Sequence, residues 1–326
     1  MRPTLSELLA DTLVVSLPLA VKFRGLWERE ALLIRGPQGW TEFSPFVEYD
    51  DAEAATWLSA AIDFGWNELP PLYRDRIPVN ATVPAVSPDQ VEAVLAMFPG
   101  CRTAKVKVAE AGQTLADDVE RVREVRRVLG PEGRIRIDAN GAWNVDEAEH
   151  AVHAMSQFDL EYVEQPCATA EELLELRTRT SYMDIPIAAD ESIRKADDPL
   201  RVARLKAADV FVLKAAPLGG VREVVRIASQ IARPVNVSSA LDTSIGIAMG
   251  AYAAAALPEL DFDCGLGTAA LLAADVTDAP LLPENGELVL RRPEVSEAAR
   301  ERLVTSPERT EWWMDRVTRC YALLAQ

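Results

Sequence analysis

From residue 79 to residue 265 the chain repeats one hydropathy pattern: a short run rich in β-formers, a polar loop, then a longer stretch with apolar positions every three to four residues. The short runs are Val79-Asn80-Ala81-Thr82-Val83, Ala104 to Val108, Arg134 to Asp138, Leu160 to Glu164, Ile185 to Asp190, Val210 to Lys214, Pro234 to Ser238 and Asp261 to Gly265. The stretch from Leu115 to Leu129 shows the helical phase, with Leu115, Val119, Val122, Val125 and Leu129 falling on one face. Eight strands alternating with helices predict an α/β fold, a (β/α)8 TIM-type barrel closed by parallel strands. Residues 1–76 read differently. Val14 to Phe23 and Glu30 to Arg35 alternate as strands, Gly36-Pro37-Gln38-Gly39 forms a hairpin turn, and Asp51 to Phe64 is an amphipathic helix. The expectation is an α+β capping domain at 1–76, a barrel at 77–287, and a C-terminal segment, 288–326, that returns to the cap with Trp312 and Trp313.

Composition narrows what such a fold can do. The 326 residues, 49% hydrophobic, suffice for one barrel and a smaller appendage, and no stretch approaches 18 uncharged apolar residues. The N-terminus carries acidic residues and no basic region leading into an apolar one, so a cytoplasmic enzyme is expected. Cys101, Cys167, Cys264 and Cys320 are scattered, with no Cys-x-x-Cys pair, which indicates neither a disulfide framework nor a zinc site. A net charge of −17 argues against nucleic-acid and anionic-membrane partners. His150 and His153 are the only histidines, three apart on one predicted outer helix with no third ligand nearby in sequence. Histidine catalysis is therefore not expected, and lysine is left to carry the proton chemistry.

The candidate chemistry sits at the ends of the strands. Asp138, Glu164, Asp190 and Lys214 each close one of the runs and stand 26, 26 and 24 residues apart, one strand-helix unit at a time. Charged groups at the C-terminal ends of successive barrel strands share one mouth. Three carboxylates converging there suggest a divalent cation holding an anionic substrate. Lys105 and Lys107, two apart on a strand, point to one face, and an inward lysine pair in a helix-covered barrel needs a purpose. Paired ammonium groups lower one another's pKa, which suits one of them to act as a base. Glu191, next to Asp190, should face away or support from behind.

Taken in order, Lys105-x-Lys107, Asp138-Ala139-Asn140, Glu164-Gln165-Pro166, Asp190-Glu191-Ser192 and Lys214 resemble the muconate-lactonising subgroup of the enolase superfamily, the group whose lysine base and magnesium-stabilised ene-diolate are a standard example of such sites. The segments Leu213 to Gly220, Ser238 to Ser244 and Gly265-Leu266-Gly267-Thr268 resemble, within it, the o-succinylbenzoate synthase family of menaquinone biosynthesis. The resemblance spans nearly the whole chain, with a cap that is short for the subgroup.

It implies a hydro-lyase that dehydrates 2-succinyl-6-hydroxy-2,4-cyclohexadiene-1-carboxylate, with Lys107 as base and then acid, Lys105 tuning it, and Lys214 opposite the ring. Asp138, Glu164 and Asp190 would bind Mg2+, with Mn2+ able to substitute; an all-oxygen set suits such hard cations. The substrate is a small dianion. Arg24, in the turn after the first cap strand, is expected to meet its succinyl carboxylate with Gly25 as a hinge, and Gly219, Gly220 and Ser238 to form an anion pocket. An N-acylamino acid racemase or dipeptide epimerase would use the same lysines. The epimerase would need an acidic pair at the end of strand eight, whereas Asp261 and Asp263 read as strand-start residues. A catalytically dead barrel that binds only metal or a partner is the non-enzyme alternative, and it should have lost a lysine or a ligand.

Overall fold

The computed structural model describes residues 2–195 and 198–324; the outermost positions of the expected cap segments, residues 1 and 325–326, lie outside that range. Twelve strands follow in chain order: β1 Thr12–Phe23, β2 Leu26–Gly36, β3 Gly39–Phe43, β4 Arg76–Pro78, β5 Ala81–Val83, β6 Thr103–Lys107, β7 Arg134–Asp138, β8 Leu160–Glu164, β9 Ile187–Ala189, β10 Val210–Lys214, β11 Val235–Ser238 and β12 Glu287–Val289. Strands β5 to β11 form one parallel sheet in chain order, the arrangement that right-handed βαβ crossovers produce. Three consecutive crossover helices begin with the same device, an Asn or Thr whose side chain caps the third helical amide while an acidic residue there caps back. The pairs are Thr114 with Asp117, Asn144 with Glu147, and Thr169 with Glu172.

The eighth run differs from the expectation. It contributes two isolated parallel bridges, Val79 with Cys264 and Ser238 with Gly265, in place of a strand. Four backbone hydrogen bonds still close the ring there: Cys264 N to Pro78 O at 2.7 Å, Asn80 N to Cys264 O at 3.0 Å, Gly265 N to Val237 O at 2.8 Å and Ser239 N to Gly265 O at 3.0 Å. The seam is tight: a Cβ on Gly265 would lie 2.3 Å from Ser238 Oγ and 3.0 Å from its Cβ, so glycine lets the two segments approach.

The cap is a β1-β2-β3 antiparallel sheet with the helix Asp51–Trp66 laid on it. Gly36 lies so near that helix that a Cβ there would overlap Gly65 O. β1 and β2 join through the two residues Arg24 and Gly25, both at positive φ (49° and 78°), the conformation of a tight primed hairpin turn. β12 pairs with β4, and the chain then runs to the helix Pro307–Leu324, whose Trp313, Val317 and Cys320 share an apolar cluster with Phe43 and Trp57 of the cap. Between cap and barrel lies Ser244–Ala255, a helix apolar on all sides and buried on nearly all of them. Its N-terminal amides at Thr243 and Gly246 are held by Glu42 of β3 at 3.2 and 3.0 Å. Among the described residues no helix is long and apolar enough to cross a membrane.

Candidate active site

Parallel register sets the site. Lys107 lies opposite Asp138, Asp138 opposite Glu164, and Lys214 opposite Ser238, so the last residues of these strands form a rim at one end of the barrel. Asp190 stands one residue past β9 and opens the short helix Glu191–Arg194. Asp138, Glu164 and Asp190 are fully buried, and Lys105 and Lys214 nearly so. β6 and β10 are four places apart in the ring of eight, which brings Lys107 and Lys214 in from opposite walls.

Each carboxylate is turned to an ammonium. Lys107 Nζ donates to Asp138 Oδ2 at 2.5 Å and to Asn140 Oδ1 at 2.8 Å. Lys105 Nζ lies 3.0 Å from Glu164 and 3.5 Å from Asp138, and Lys214 Nζ donates to Asp190 Oδ2 at 2.6 Å. Arg194 holds the other oxygen of Asp190 at 3.0 Å and reaches Glu191 at 2.7 Å; Glu191 in turn accepts from Asn140 Nδ2 at 3.1 Å. Glu191 thus supports from behind, as expected of it, and completes a polar chain from Lys107 round to Lys214.

Burial is the largest single influence on Lys105, Lys107, Asp138, Glu164 and Asp190, and their neighbours decide the direction in which each moves. For Lys107 burial lowers the pKa, Asp138 opposes, and Lys105 and Lys214 add to the lowering, so the net direction is down, as the lysine pairing predicts. Lys105 goes up because Glu164 and Asp138 outweigh its burial. Asp138 is held ionised against burial by Lys107 and Lys105, and Asp190, against burial, goes to about 2 through Lys214 and Arg194. Glu164 is pushed up to about 7, by burial first and then by Asp138.

The expected convergence of the three carboxylates on one point is not met: no group of three or more His, Cys, Asp or Glu side chains among the described residues is close enough to hold a metal ion. Lysines occupy the carboxylates instead: Lys105 lies between Glu164 and Asp138, Lys107 holds Asp138, and Lys214 holds Asp190. The donor set still fits a hard divalent cation. It is all oxygen, anionic and buried, Asp138 and Asp190 raise Glu164 through their mutual repulsion, and Glu191 Oε2 is buried without a hydrogen-bond partner.

A small inner pocket of about 30 Å3 is lined by Lys105, Lys107 and Lys214 with Phe23, Arg24, Phe46, Thr82, Asn140, Ser238, Ser239, Ala240, Leu241, Gly265 and Thr268. It shares Phe23, Arg24, Lys107 and Asn140 with an outer cleft of about 610 Å3. The structure therefore brings Arg24 and Ser238 to the lysines. The Arg24 guanidinium lies 4.4 Å from the centre of the Phe46 ring, and Gly25 forms a two-residue turn instead of a hinge within a longer loop. Ser238 Oγ is 3.3 Å from Gly265 O, at the seam.

Gly219 and Gly220 are not brought there. They end the helix Ala215–Leu218 and start Val221–Gln230 on the outside of the barrel, where a Cβ on Gly220 would meet Asp63 of the cap helix at 2.7 Å. Their backbone freedom lets the cap helix approach. Ser239, expected beside Ser238 on the loop after strand seven, also lines the pocket. Sequence reading missed Thr82 and Thr268; Thr82 stands opposite Lys105 in the ladder, and that register is the signal that finds it. Asp263 lies at the other end, accepting from Thr103 Oγ1 and Arg134, both at 2.6 Å, so the acidic pair an epimerase would need is not at the mouth. His150 and His153 are exposed on an outer helix, His153 against the Tyr182 hydroxyl at 2.5 Å.

Residues 89–294 match the family model described as enolase C-terminal domain-like, and residues 14–65 the one described as enolase N-terminal domain-like. The chain is 55% identical over 323 residues to the o-succinylbenzoate synthase of Mycobacterium tuberculosis, covering 99% of this chain and 97% of that protein. It is 57% identical over 325 residues to the o-succinylbenzoate synthase of Mycobacterium leprae, covering 99% and 95%. Among solved structures, 2-chloromuconate cycloisomerase from Rhodococcus opacus superposes with a TM-score of 0.76 at 21% identity, covering 91% of this chain and 98% of that one. The L-Ala-D/L-Glu epimerase of Bacillus subtilis does so with 0.73 at 22%, covering 87% and 96%. At that identity the superpositions speak for the fold alone.

Proposed function

Since the chain belongs to the o-succinylbenzoate synthase family of the enolase superfamily, we propose that it dehydrates 2-succinyl-6-hydroxy-2,4-cyclohexadiene-1-carboxylate to 2-succinylbenzoate, a step of menaquinone biosynthesis, with Lys107 as the residue that moves the proton. The observation that carries this reading is the pair of lysines entering from opposite walls, with Asp138, Glu164 and Asp190 on the strands around them.

Lys107 Nζ takes the proton from the ring carbon that bears the carboxylate. Its lowered pKa supports a neutral amine before the step. The same Nζ, now an ammonium, returns a proton to the departing hydroxyl, so that hydrogen and hydroxide leave together as water and the ring becomes aromatic. Lys105 keeps its charge and biases Lys107 toward the neutral form. Lys214 places an ammonium on the opposite face of the ring, where it steadies the delocalised anion by charge and cation-π attraction. Asp138, Glu164 and Asp190 would hold Mg2+, which when bound supplies Lewis-acid stabilisation of negative charge developing on the substrate carboxylate. Phe23 lies over Lys107, its ring centre 5.5 Å from Nζ, and limits water at the base. Arg24 offers a cation to the succinyl carboxylate. Ser238 contributes a short side chain at the rim, leaving room for the ring.

The test is turnover by the purified protein with that cyclohexadiene and Mg2+, followed through the absorbance of the aromatic product. Product formation that stops on adding chelator and returns with Mg2+ is expected; no product, or full activity in excess chelator, contradicts the reading.

A further inference from the structure

Arg121, on the helix Leu115–Leu129 that follows β6, is 1% exposed, and most of what its guanidinium grips belongs to the loops around the site. Nε donates to Val86 O at 2.6 Å. Nη1 donates to Lys107 O at 2.9 Å and to Asp118 Oδ1 at 2.7 Å, and Nη2 to Gln113 Oε1. Two of those partners extend the grip: Asp118 Oδ2 accepts from Ala109 N at 2.9 Å, and Gln113 Nε2 donates to Ala85 O at 2.8 Å. One buried cluster thereby ties together the segment beyond β5 (Ala85, Val86), the backbone of Lys107, and Ala109, which is held at φ 61°, a left-handed conformation that alanine avoids.

Position in the sheet explains why this is needed. β5 pairs with β6 no further than Val83 with Val106, so Lys107 lies one residue past the last rung on that side. Its carbonyl is met there by the Arg121 guanidinium. Residues of the segments Pro84 to Ser87 and Lys107 to Gln113 also line the outer cleft, and Arg121 joins the two segments from behind. A planar fork that is always charged can hold these four acceptors from three nitrogens; a lysine ammonium in the same place cannot reach them all. A buried arginine paired with one aspartate is costly to desolvate and by itself weak evidence of stabilisation, which leaves its backbone contacts as the feature to account for.

We propose that Arg121 is a positioning residue. Through the carbonyl of Lys107 it fixes where that side chain leaves the strand, and through Val86 and Gln113 it braces that carbonyl against the segment beyond β5. This rests on the reading of Lys107 as the base. A displacement of that carbonyl by a fraction of an ångström is carried to Nζ, and misplacement of about 1 Å is enough to cost on the order of 100-fold in rate.

The experiment compares wild type, Arg121→Lys and Gln113→Leu on the cyclohexadiene substrate with Mg2+, using substrate protiated or deuterated at the carbon that Lys107 deprotonates, with rates expressed per folded protein. Arg121→Lys should lower kcat about 10-fold or more with KM within about threefold of wild type, and the deuterium isotope effect should grow because proton transfer becomes slower relative to other steps. Gln113→Leu, at a partly buried position, cuts the link to Ala85 and should lower kcat about threefold with the same sign of change in the isotope effect. If Arg121→Lys folds and keeps the wild-type kcat and isotope effect, Arg121 serves only to anchor its helix and the proposal is wrong. Should Arg121→Lys fail to fold, wild-type kinetics in Gln113→Leu overturn it equally. Absence of turnover in the wild type would reject the functional reading and the positioning role with it, whereas an active wild type beside kinetically unchanged variants rejects the positioning role alone.

Discussion

The two ends of the barrel are built from the same strands and comparable charges, yet they use different cations. At the rim, Lys105, Lys107 and Lys214 pair directly with Asp138, Glu164 and Asp190 beside a pocket that the lysines line. At the opposite end the cations are arginines. Arg136, fully buried, donates to Glu161 at 2.5 Å, to Asn80 Oδ1 at 3.1 Å and to Asp263 O at 2.7 Å, with the Tyr162 and Phe262 rings 4.8 and 5.4 Å from its guanidinium carbon. Arg134 joins Thr103 to Asp263. Strand β7 runs from one regime to the other, since Arg134, Arg136 and Asp138 recur at the two-residue spacing of one face. Guanidinium stays charged and fixes several acceptors at once, so it serves where the structure must not change. Ammonium has a pKa that burial and neighbours can move, and Lys107 shows that movement.

The comparison predicts opposite consequences for charge removal at the two ends. Arg136→Met leaves Glu161 and Asn80 without their partner in the interior and should cost about 3–5 kcal/mol of stability in denaturant unfolding, while kcat per folded protein stays within about twofold. Comparable loss of kcat in the folded fraction would mean that the lower end also serves the chemistry. Lys214→Ala should do the reverse. Its loss of charge at the ring is expected to lower kcat by about 10^2 to 10^3, with little change in melting temperature because Arg194 still holds Asp190. A large drop in melting temperature would make Lys214 a structural cation like Arg136.

Two arginines do stand at the rim, and they differ: Arg194 is buried against Asp190 and Glu191, whereas Arg24 is free to meet a ligand and sharpens the contrast. It is exposed in a hairpin turn, and its partner is expected to be the substrate. Arg24→Ala should therefore raise KM by roughly 10-fold, the value of one charged hydrogen bond, and leave unfolding unchanged. An unaltered KM removes it from the site.

A smaller effect belongs to Glu42, a buried carboxylate of the cap held by hydroxyls and amides from Ser44, Thr243 and Gly246. Burial, and then Asp242, raises it from 4.5 to about 7. A folded pKa above the unfolded one means the folded state holds the proton more tightly. The associated stability is full below about 4.5 and is lost as pH rises through about 7. The unfolding free energy, read in denaturant, should fall across that window by an amount of order 1 kcal/mol, and less steeply in Glu42→Gln. Parallel profiles for the two proteins would show that Glu42 is not the group responsible.

Much of this was legible in the sequence because it is local. Strands β6, β7, β8 and β10 each end on a functional charge, so Asp138, Glu164 and Lys214 announce both an element boundary and a site, and the spacing of Lys105 and Lys107 fixes their shared face. What failed to read depends on distant contacts. Gly219-Gly220 has the same appearance whether it receives an anion or makes room for a helix, and only Asp63, 157 positions before Gly220, decides. The eighth strand shrinks to bridges because Cys264 and Gly265 pair with residues from both edges of the sheet at once. Arg121 reads as one charge on an amphipathic helix until the loop beyond β5 is folded against it.

The central claim is that the lysine end of the barrel transfers protons while the arginine end only holds charge, and Lys107→Arg tests it most directly. The substitution keeps a cation beside Asp138 and Asn140 but removes a group able to give up its proton near neutral pH. The measurement is kcat of the folded variant with the cyclohexadiene substrate and Mg2+. The account predicts a melting temperature near that of the wild type and a kcat lower by at least about 10^2 to 10^4; a folded Lys107→Arg protein that turns over within about 10-fold of wild type would contradict it.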